Sequence, residues 1–302
     1  MGHRHHHGAT GNRLLGSLAA TVLFIAVEVA AGLKAHSLAL LSDAGHNFTD
    51  ALALLLAWFA YYVGSMPPDQ SKTYGYQRAG VLAAFVNALA LVGLAGFIFF
   101  ESWRRLQAPR EVSQQIMVVV AGAGLVVNTG IMLALRSASR HDLNIRSAFV
   151  HMLGDALGSI GIIIGGVLIG FTGYYRIDPL LSILIGLLIL WTAWDIIKES
   201  LNILLEGLPR GLKLDAVIAA MKQLAGVIDV HDVHIWSLAS HTHALSCHIM
   251  IDDVPPSSSE RILRGVNELL ESRFQITHTT IQFEHALCEI SACGCTPVRS
   301  ER

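Results

Sequence analysis

Six apolar stretches, at residues 14–33, 38–63, 79–100, 116–135, 148–171 and 177–197, fill the first two thirds of this chain. A bilayer core of roughly 30 Å is crossed by about 20 apolar residues of helix, so each stretch is long enough to span one. The first is too long, and too richly followed by others, for a cleaved signal peptide. Of the 302 residues 53% are apolar and 15% charged, and the mean hydropathy is +0.51. Soluble domains carry nearer a quarter charged residues, which argues against an ordinary cytosolic enzyme. With 21 Lys and Arg against 23 Asp and Glu, the basic excess that marks a nucleic-acid partner is missing. The cysteines, at 247, 288, 293 and 295, all fall in the last fifth of the chain. No disulfide framework is expected from them, and a reducing compartment fits. The 15 histidines are out of proportion, and metal is the first reason to consider.

With both termini placed in the cytoplasm, the outward loops hold Lys34, Arg104, Arg105, Arg110 and Arg176, and the inward segments about twice as many basic residues. That bias obeys the positive-inside rule, although the cluster at 104–110 runs against it. Past Glu206 the pattern reads helix, strand, strand, helix, strand. Leu214, Val217, Ile218 and Met221 have helical spacing, as do Ile262, Val266, Leu269 and Leu270. Leu245, Cys247, Ile249 and Ile251 alternate with polar neighbours as in a half-buried strand. Pro255 to Ser259 reads as a turn, with Glu260 opening the next helix. The expected organisation is an N-terminal His-rich tail (1–12), a six-helix membrane domain (13–206), an α/β domain (207–290) and a Cys-containing tail (291–302). An α/β domain of this size gains stability from dimerisation.

Inside the second stretch lie Asp43, His46, Asn47 and Asp50, and inside the fifth His151 and Asp155. Ionisable groups at helix centres cost roughly 2.5–3.5 kcal/mol each, so they need a compensating partner. His46 and Asp50 are four apart, as are His151 and Asp155, which puts each pair on one helix face one turn apart. Both pairs continue as Asp-Ala-Leu, a small internal repeat. At 1.5 Å per residue, and with the two spans antiparallel, His46 comes level with Asp155 and Asp50 with His151. Two imidazoles and two carboxylates around a point suit a tetrahedral Zn2+, with Co2+ next; Mg2+ and Ca2+ prefer all-oxygen cages. The competing structural explanation is interhelical hydrogen bonding. Asp43 is either an outer partner of a ligand or a helix cap. Asn87 and Asn128 read as interhelical glue. Glu28, in the first span, has no evident partner and is a candidate proton relay.

The stretch Ser37-Leu-Ala-Leu-Leu-Ser-Asp-Ala-Gly-His-Asn-Phe-Thr-Asp50, together with the second His-x-x-x-Asp at 151, resembles the signature of the cation diffusion facilitator family. The likeness runs on through Thr73 to Arg78, Ser200 to Pro209, His231 to Trp236 and Thr277 to Glu284, and is greatest to the bacterial cobalt-zinc-cadmium resistance branch. It implies an α-helical membrane protein of six spans with a C-terminal cytoplasmic, metallochaperone-like (ferredoxin-like) domain. It also implies a homodimer in the lipid bilayer, exporting Zn2+ in exchange for H+, with Co2+, Cd2+ and Ni2+ as further candidate cargoes. By position His46, Asp50, His151 and Asp155 become the transport site. His at the first position goes with zinc preference, and Arg78 and Glu206 match a structural charge pair. A second metal site in the loop after span two is expected to be absent, because its positions hold Asp69, Lys72 and Tyr76. The short segment between spans four and five favours a bacterial inner membrane over a eukaryotic transporter.

In the soluble domain the resemblance assigns regulatory metal ligands to His234 and His248, with Gln282 and Glu284 at the matching last-strand positions. His285 and Cys288 follow as further candidates, while His241 and His243 read as exposed strand residues. Cys293, Cys295 and the early His3, His5, His6 and His7 are either chelating tails or bystanders. Because metal binding needs neutral imidazoles and ionised carboxylates, protons and metal compete for the same side chains, which is a route to antiport. Two rivals come from other classes. An intramembrane metalloenzyme would keep an open position on its zinc and a nearby general base. A membrane-anchored sensor would bind zinc without flux.

Overall fold

The computed structural model describes residues 7–136, 143–239 and 242–285. His3, His5, His6, His241, Cys288, Cys293 and Cys295 lie outside the described residues, as do the two expected tails for the most part. The chain clusters into two compact units, 1–55 with 86–195 and 56–85 with 196–302.

In the described residues six long helices come first: α1 His7–Ala35, α2 Leu38–Gly64, α3 Ala79–Gln107, α4 Gln114–Leu135, α5 Leu143–Thr172 and α6 Ile177–Leu204. Among the described residues, Ala79–Gln107, Gln114–Leu133, Phe149–Thr172 and Ile177–Leu204 are long and apolar enough to cross a membrane. α2 has the length, but Asp43, His46, Asn47 and Asp50 dilute its apolar content. Within the first unit Leu40, Met117, Ile162 and Ile169 form a core between α2, α4 and α5, and Leu91, Ala95 and Ile98 of α3 pack against Ile189 and Ala193 of α6. Val119, Val126, Phe171 and Trp191 stay exposed. Apolar side chains turned outward are expected where the solvent is lipid. Small residues bring helices close. A Cβ at Gly186 would lie 2.7 Å from the Phe99 ring, joining α6 to α3.

The turn between α1 and α2 is fastened by groups far away in sequence. His36, at φ 56°, ends α1 in the left-handed region. Ser37 then caps α2, its Oγ accepting from the Leu40 N–H at 3.2 Å. Asp178, fully buried in the first turn of α6, accepts from Ser37 Oγ at 2.6 Å and from the Leu38 N–H at 2.7 Å and the Ala39 N–H at 3.2 Å. Arg105 of α3 donates to the His36 carbonyl at 2.5 Å, pairs with Glu101 at 3.1 Å and lies 3.7 Å from Asp178. The α2 N-terminus and a buried carboxylate thus neutralise each other's unmet polarity.

In the second unit, α7 Leu214–Lys222, β1 Asp229–Ala239, β2 Thr242–Met250, α8 Pro256–Phe274 and β3 Ile276–Glu284 follow the expected element order. The sheet order is β1-β2-β3, antiparallel between β1 and β2 and parallel between β2 and β3, with α8 as the crossover. Val217 and Met221, Val266 and Leu270, and Leu245, Cys247, Ile249 and Ile251 form one core. Burial pushes the Cys247 thiol up to about 12, with the Asp232 charge as a lesser cause. The helix expected from Glu260 begins four residues earlier. Pro256 occupies its first turn, where a missing N–H costs nothing.

Candidate metal sites

Antiparallel α2 and α5 turn their repeated motifs toward each other. His46 Nε2 lies 3.6 Å from Asp50 Oδ2 and 3.7 Å from Asp155 Oδ1, and His151 Nε2 lies 3.2 Å from Asp50 Oδ2 and 3.7 Å from Asp155 Oδ2. His46, His151 and Asp155 each bring one donor atom within 4.8 Å of the other two. The rings of His46 and His151 meet edge to face at 5.9 Å. A tetrahedral zinc with bonds of about 2.0–2.1 Å separates its donors by about 3.3 Å. The four N···O edges here are close to that spacing.

One turn from these residues is a group the sequence did not connect. Asn47 Nδ2 donates to Glu28 Oε2 at 2.8 Å, so Glu28 of α1, taken from sequence as partnerless, has a partner on α2. Asp43 is buried and faces Glu28, while Ser37 and Asp178 cap α2, so Asp43 is not that helix's cap. Asn87 is buried in α3.

The second cluster sits on the sheet face opposite the apolar core. His231 of β1 pairs in register with His248 of β2, and the two rings meet edge to face at 5.5 Å. His231 Nε2 lies 3.1 Å from Glu284 Oε2, and His248 Nδ1 lies 3.0 Å from Glu284 Oε1. Those three residues form the second group with donors within 4.8 Å of one another. Neither His231 Nε2 nor Glu284 Oε2 has hydrogen-bond geometry to any described residue despite their closeness. Two acceptors aimed at one space is what a shared cation requires.

His234, the β1 residue expected to be a ligand, is not in that group. The register slips between His231 and His234, with Asp232 in the left-handed region at φ 50°. This bulge inserts one residue, and it moves the position opposite His248 to His231. His234 instead lies opposite Ser246, its Nε2 3.3 Å from Asp232 Oδ1, while Asp232 Oδ2 lies 3.9 Å from His248 Nε2. Asp232 therefore stands between the two histidines. Gln282 donates to Glu284 Oε1 at 3.1 Å, orienting the carboxylate rather than adding a charge. His285 turns Nδ1 to the Asp252 carbonyl at 3.1 Å, and His243 lies 3.2 Å from Ser237 Oγ.

Arg78 Nη2 and Glu206 Oε1 lie 3.2 Å apart. In the loop after α2, Asp69 accepts from the Ser71 side chain, the Tyr76 hydroxyl at 2.9 Å, and the backbone N–H groups of Lys72 and Ser71. These bonds hold its carboxyl well below the usual range, and they hold the Tyr76 hydroxyl above its own. Asp69 there ties a turn together.

Residues 14–205 match the cation efflux transmembrane domain, and residues 209–286 match the cytoplasmic domain of cation efflux proteins. The metal cation efflux system protein CzcD of Cupriavidus metallidurans is 40% identical over 95% of this chain and 91% of its own. The zinc transporter ZitB of Pectobacterium atrosepticum is 40% identical over 97% of this chain and 92% of its own. A cadmium, cobalt and zinc/H(+)-K(+) antiporter of Bacillus subtilis is 38% identical over 94% and 92%.

Proposed function

The chain belongs to the cation efflux family and is a membrane transporter rather than an enzyme; from that premise we propose that it exports Zn2+ from the cytoplasm in exchange for protons. The observation that carries this is the ring of N···O distances, 3.2–3.7 Å, joining His46, Asp50, His151 and Asp155 across two helices. Two neutral imidazoles and two carboxylates balance a divalent charge, so the loaded site presents no net charge to the membrane interior. An empty site carries two negative charges, and protons take the metal's place on the return. Metal entry from the cytoplasm displaces protons; protonation from the acidic outer side displaces metal. Alternating access exposes the same four side chains to each side in turn.

Names of relatives support the cargo: two are called zinc transporters or metal efflux proteins, and one a cadmium, cobalt and zinc/H(+)-K(+) antiporter. Co2+, Cd2+ and Ni2+ are secondary cargoes of the same donor set. His231, His248 and Glu284 form a regulatory zinc site in the cytoplasmic domain, with Asp232 as an outer partner of His248 and His234. Metal there stabilises one arrangement of a homodimer and so biases the transport cycle. The protein resides in a bacterial inner membrane with both termini in the cytoplasm.

The test is zinc flux into proteoliposomes under an imposed pH gradient. Wild type is expected to move zinc against the proton flow, and Asp50→Ala and His151→Ala to lose nearly all of it. Unchanged flux in Asp50→Ala would remove the assigned site.

A further inference from the structure

We propose that Glu28 is a second proton-binding site of the exchanger, releasing one proton as a divalent cation enters the four-residue site and regaining it as the cation leaves. This inference rests on the reading of His46, Asp50, His151 and Asp155 as the transport site.

Glu28 is 1% exposed and lies about two turns before the C-terminal end of α1. One carboxyl oxygen accepts from Asn47 at 2.8 Å, and the other is buried with no hydrogen-bond partner among the described residues. Ser159 Oγ, also buried and unpartnered, approaches the same place from α5. A Cβ at Gly124 of α4 would come within 3.8 Å of Glu28 Oε1 and 3.4 Å of Ser159 Oγ, so both side chains reach over bare glycine backbone. The charged groups that face Glu28 are Asp43 of α2 and Asp155 of α5. The described part of α4 has no ionisable residue short of Arg136, and on α1 the nearest is Lys34, six residues on.

Position links this carboxyl to the metal. Asn47 follows His46 directly, and Ser159 stands one turn beyond Asp155. Glu28 is thus reached from both helices that build the metal site, yet it is no part of the donor set. With the site empty, the negative charges of Asp155 and Asp43 favour a neutral, protonated Glu28. A dication between Asp50 and Asp155 reverses that field and favours the carboxylate. The step is balanced: the Glu28 O–H bond breaks, the proton goes to solution, and one cation enters. A carboxyl that serves only to brace Asn47 would behave differently, because a glutamine accepts the same hydrogen bond and carries no proton.

Full-length protein in detergent is titrated with Zn2+ in lightly buffered solution containing a pH indicator, and protons released per zinc are counted. Glu28→Gln is expected to bind zinc while releasing about one proton fewer than wild type, and its flux to have a shallower pH profile. The wild-type proton count and pH profile in a zinc-binding Glu28→Gln would overturn the proposal. Should Glu28→Gln fail to assemble, Glu28→Met takes its place, filling a similar volume without a carboxyl. A count lowered by about one proton in a zinc-binding Glu28→Met supports the proposal, and the wild-type count overturns it. Zinc flux persisting in Asp50→Ala would instead refute the transport site itself, a result separable from either outcome at Glu28.

Discussion

At the scale of single residues, two donor clusters differ in how they are held. The membrane cluster is built from one repeated pair per helix, so its geometry follows from helical pitch alone. The cytoplasmic cluster is drawn from three strands, and it depends on a bulge that no spacing rule announces. Counting alternate positions along β1 does not identify the residue beside His248, because Asp232 adds a residue to the strand. His231 was in the sequence, at the head of the stretch from His231 to Trp236; the register was not. Glu284 faces His231 and His248, whereas His234 meets Asp232. Competition titration against a chromophoric zinc chelator is expected to show at least about a tenfold loss of affinity at this site in Glu284→Ala, and a smaller loss in His234→Ala. The reverse order would put His234 in the inner set.

At the scale of elements, the long apolar helices and the strand alternation are legible because burial repeats with period 3.6 or 2. Fastenings between distant elements are not. Asp178 grips the start of α2 across about 140 residues of chain, and nothing local marks that partner. Asp178→Ala leaves the Ser37 hydroxyl and two backbone donors unmet and takes from Arg105 one of its two carboxylate neighbours. Its cost is expected to be about 3–5 kcal/mol, against about 1 kcal/mol for loss of the Ser37 cap in Ser37→Ala. Thermal unfolding in detergent checks the order, and equal shifts would mean that Asp178 contributes only its bond to Ser37. At the end of α8, Gln275 sits in the left-handed region at φ 57°, where a side chain costs about 1 kcal/mol relative to glycine. Gln275→Gly is therefore expected to raise the melting temperature of the cytoplasmic domain, and a drop would show that the side chain makes up for the strain.

The link between α7 and β1 has a pH signature. Lys222, bonded to Asp229 at 2.5 Å, holds that carboxyl below its ordinary value. A depressed carboxylate contributes stability that is fully present above its unfolded pKa of about 4 and is lost as pH falls through the lowered folded value. The difference in melting temperature between wild type and Asp229→Asn is expected to be constant near neutrality and to vanish in acid. A difference that persists at low pH would assign it to packing.

At the scale of the whole molecule, the proposed function gives both halves of the chain one cargo: a cation efflux transmembrane domain that would carry the metal and a cytoplasmic domain that would sense it. The membrane half was open to sequence because lipid forbids unpaired ionisable groups, so six polar residues in two apolar stretches stand out. Glu28 stood out for the same reason, but its partner on α2 emerged only with helix packing. Zinc X-ray absorption tests the central claim most directly. The sample is zinc-loaded protein lacking residues 1–12 and carrying His231→Ala and His248→Ala. Four nitrogen or oxygen neighbours at about 2.0 Å, two of them imidazole, are expected, with the signal lost on adding Asp50→Ala. Retention of no zinc, or coordination unchanged by Asp50→Ala, would contradict a shared ion between the two helices.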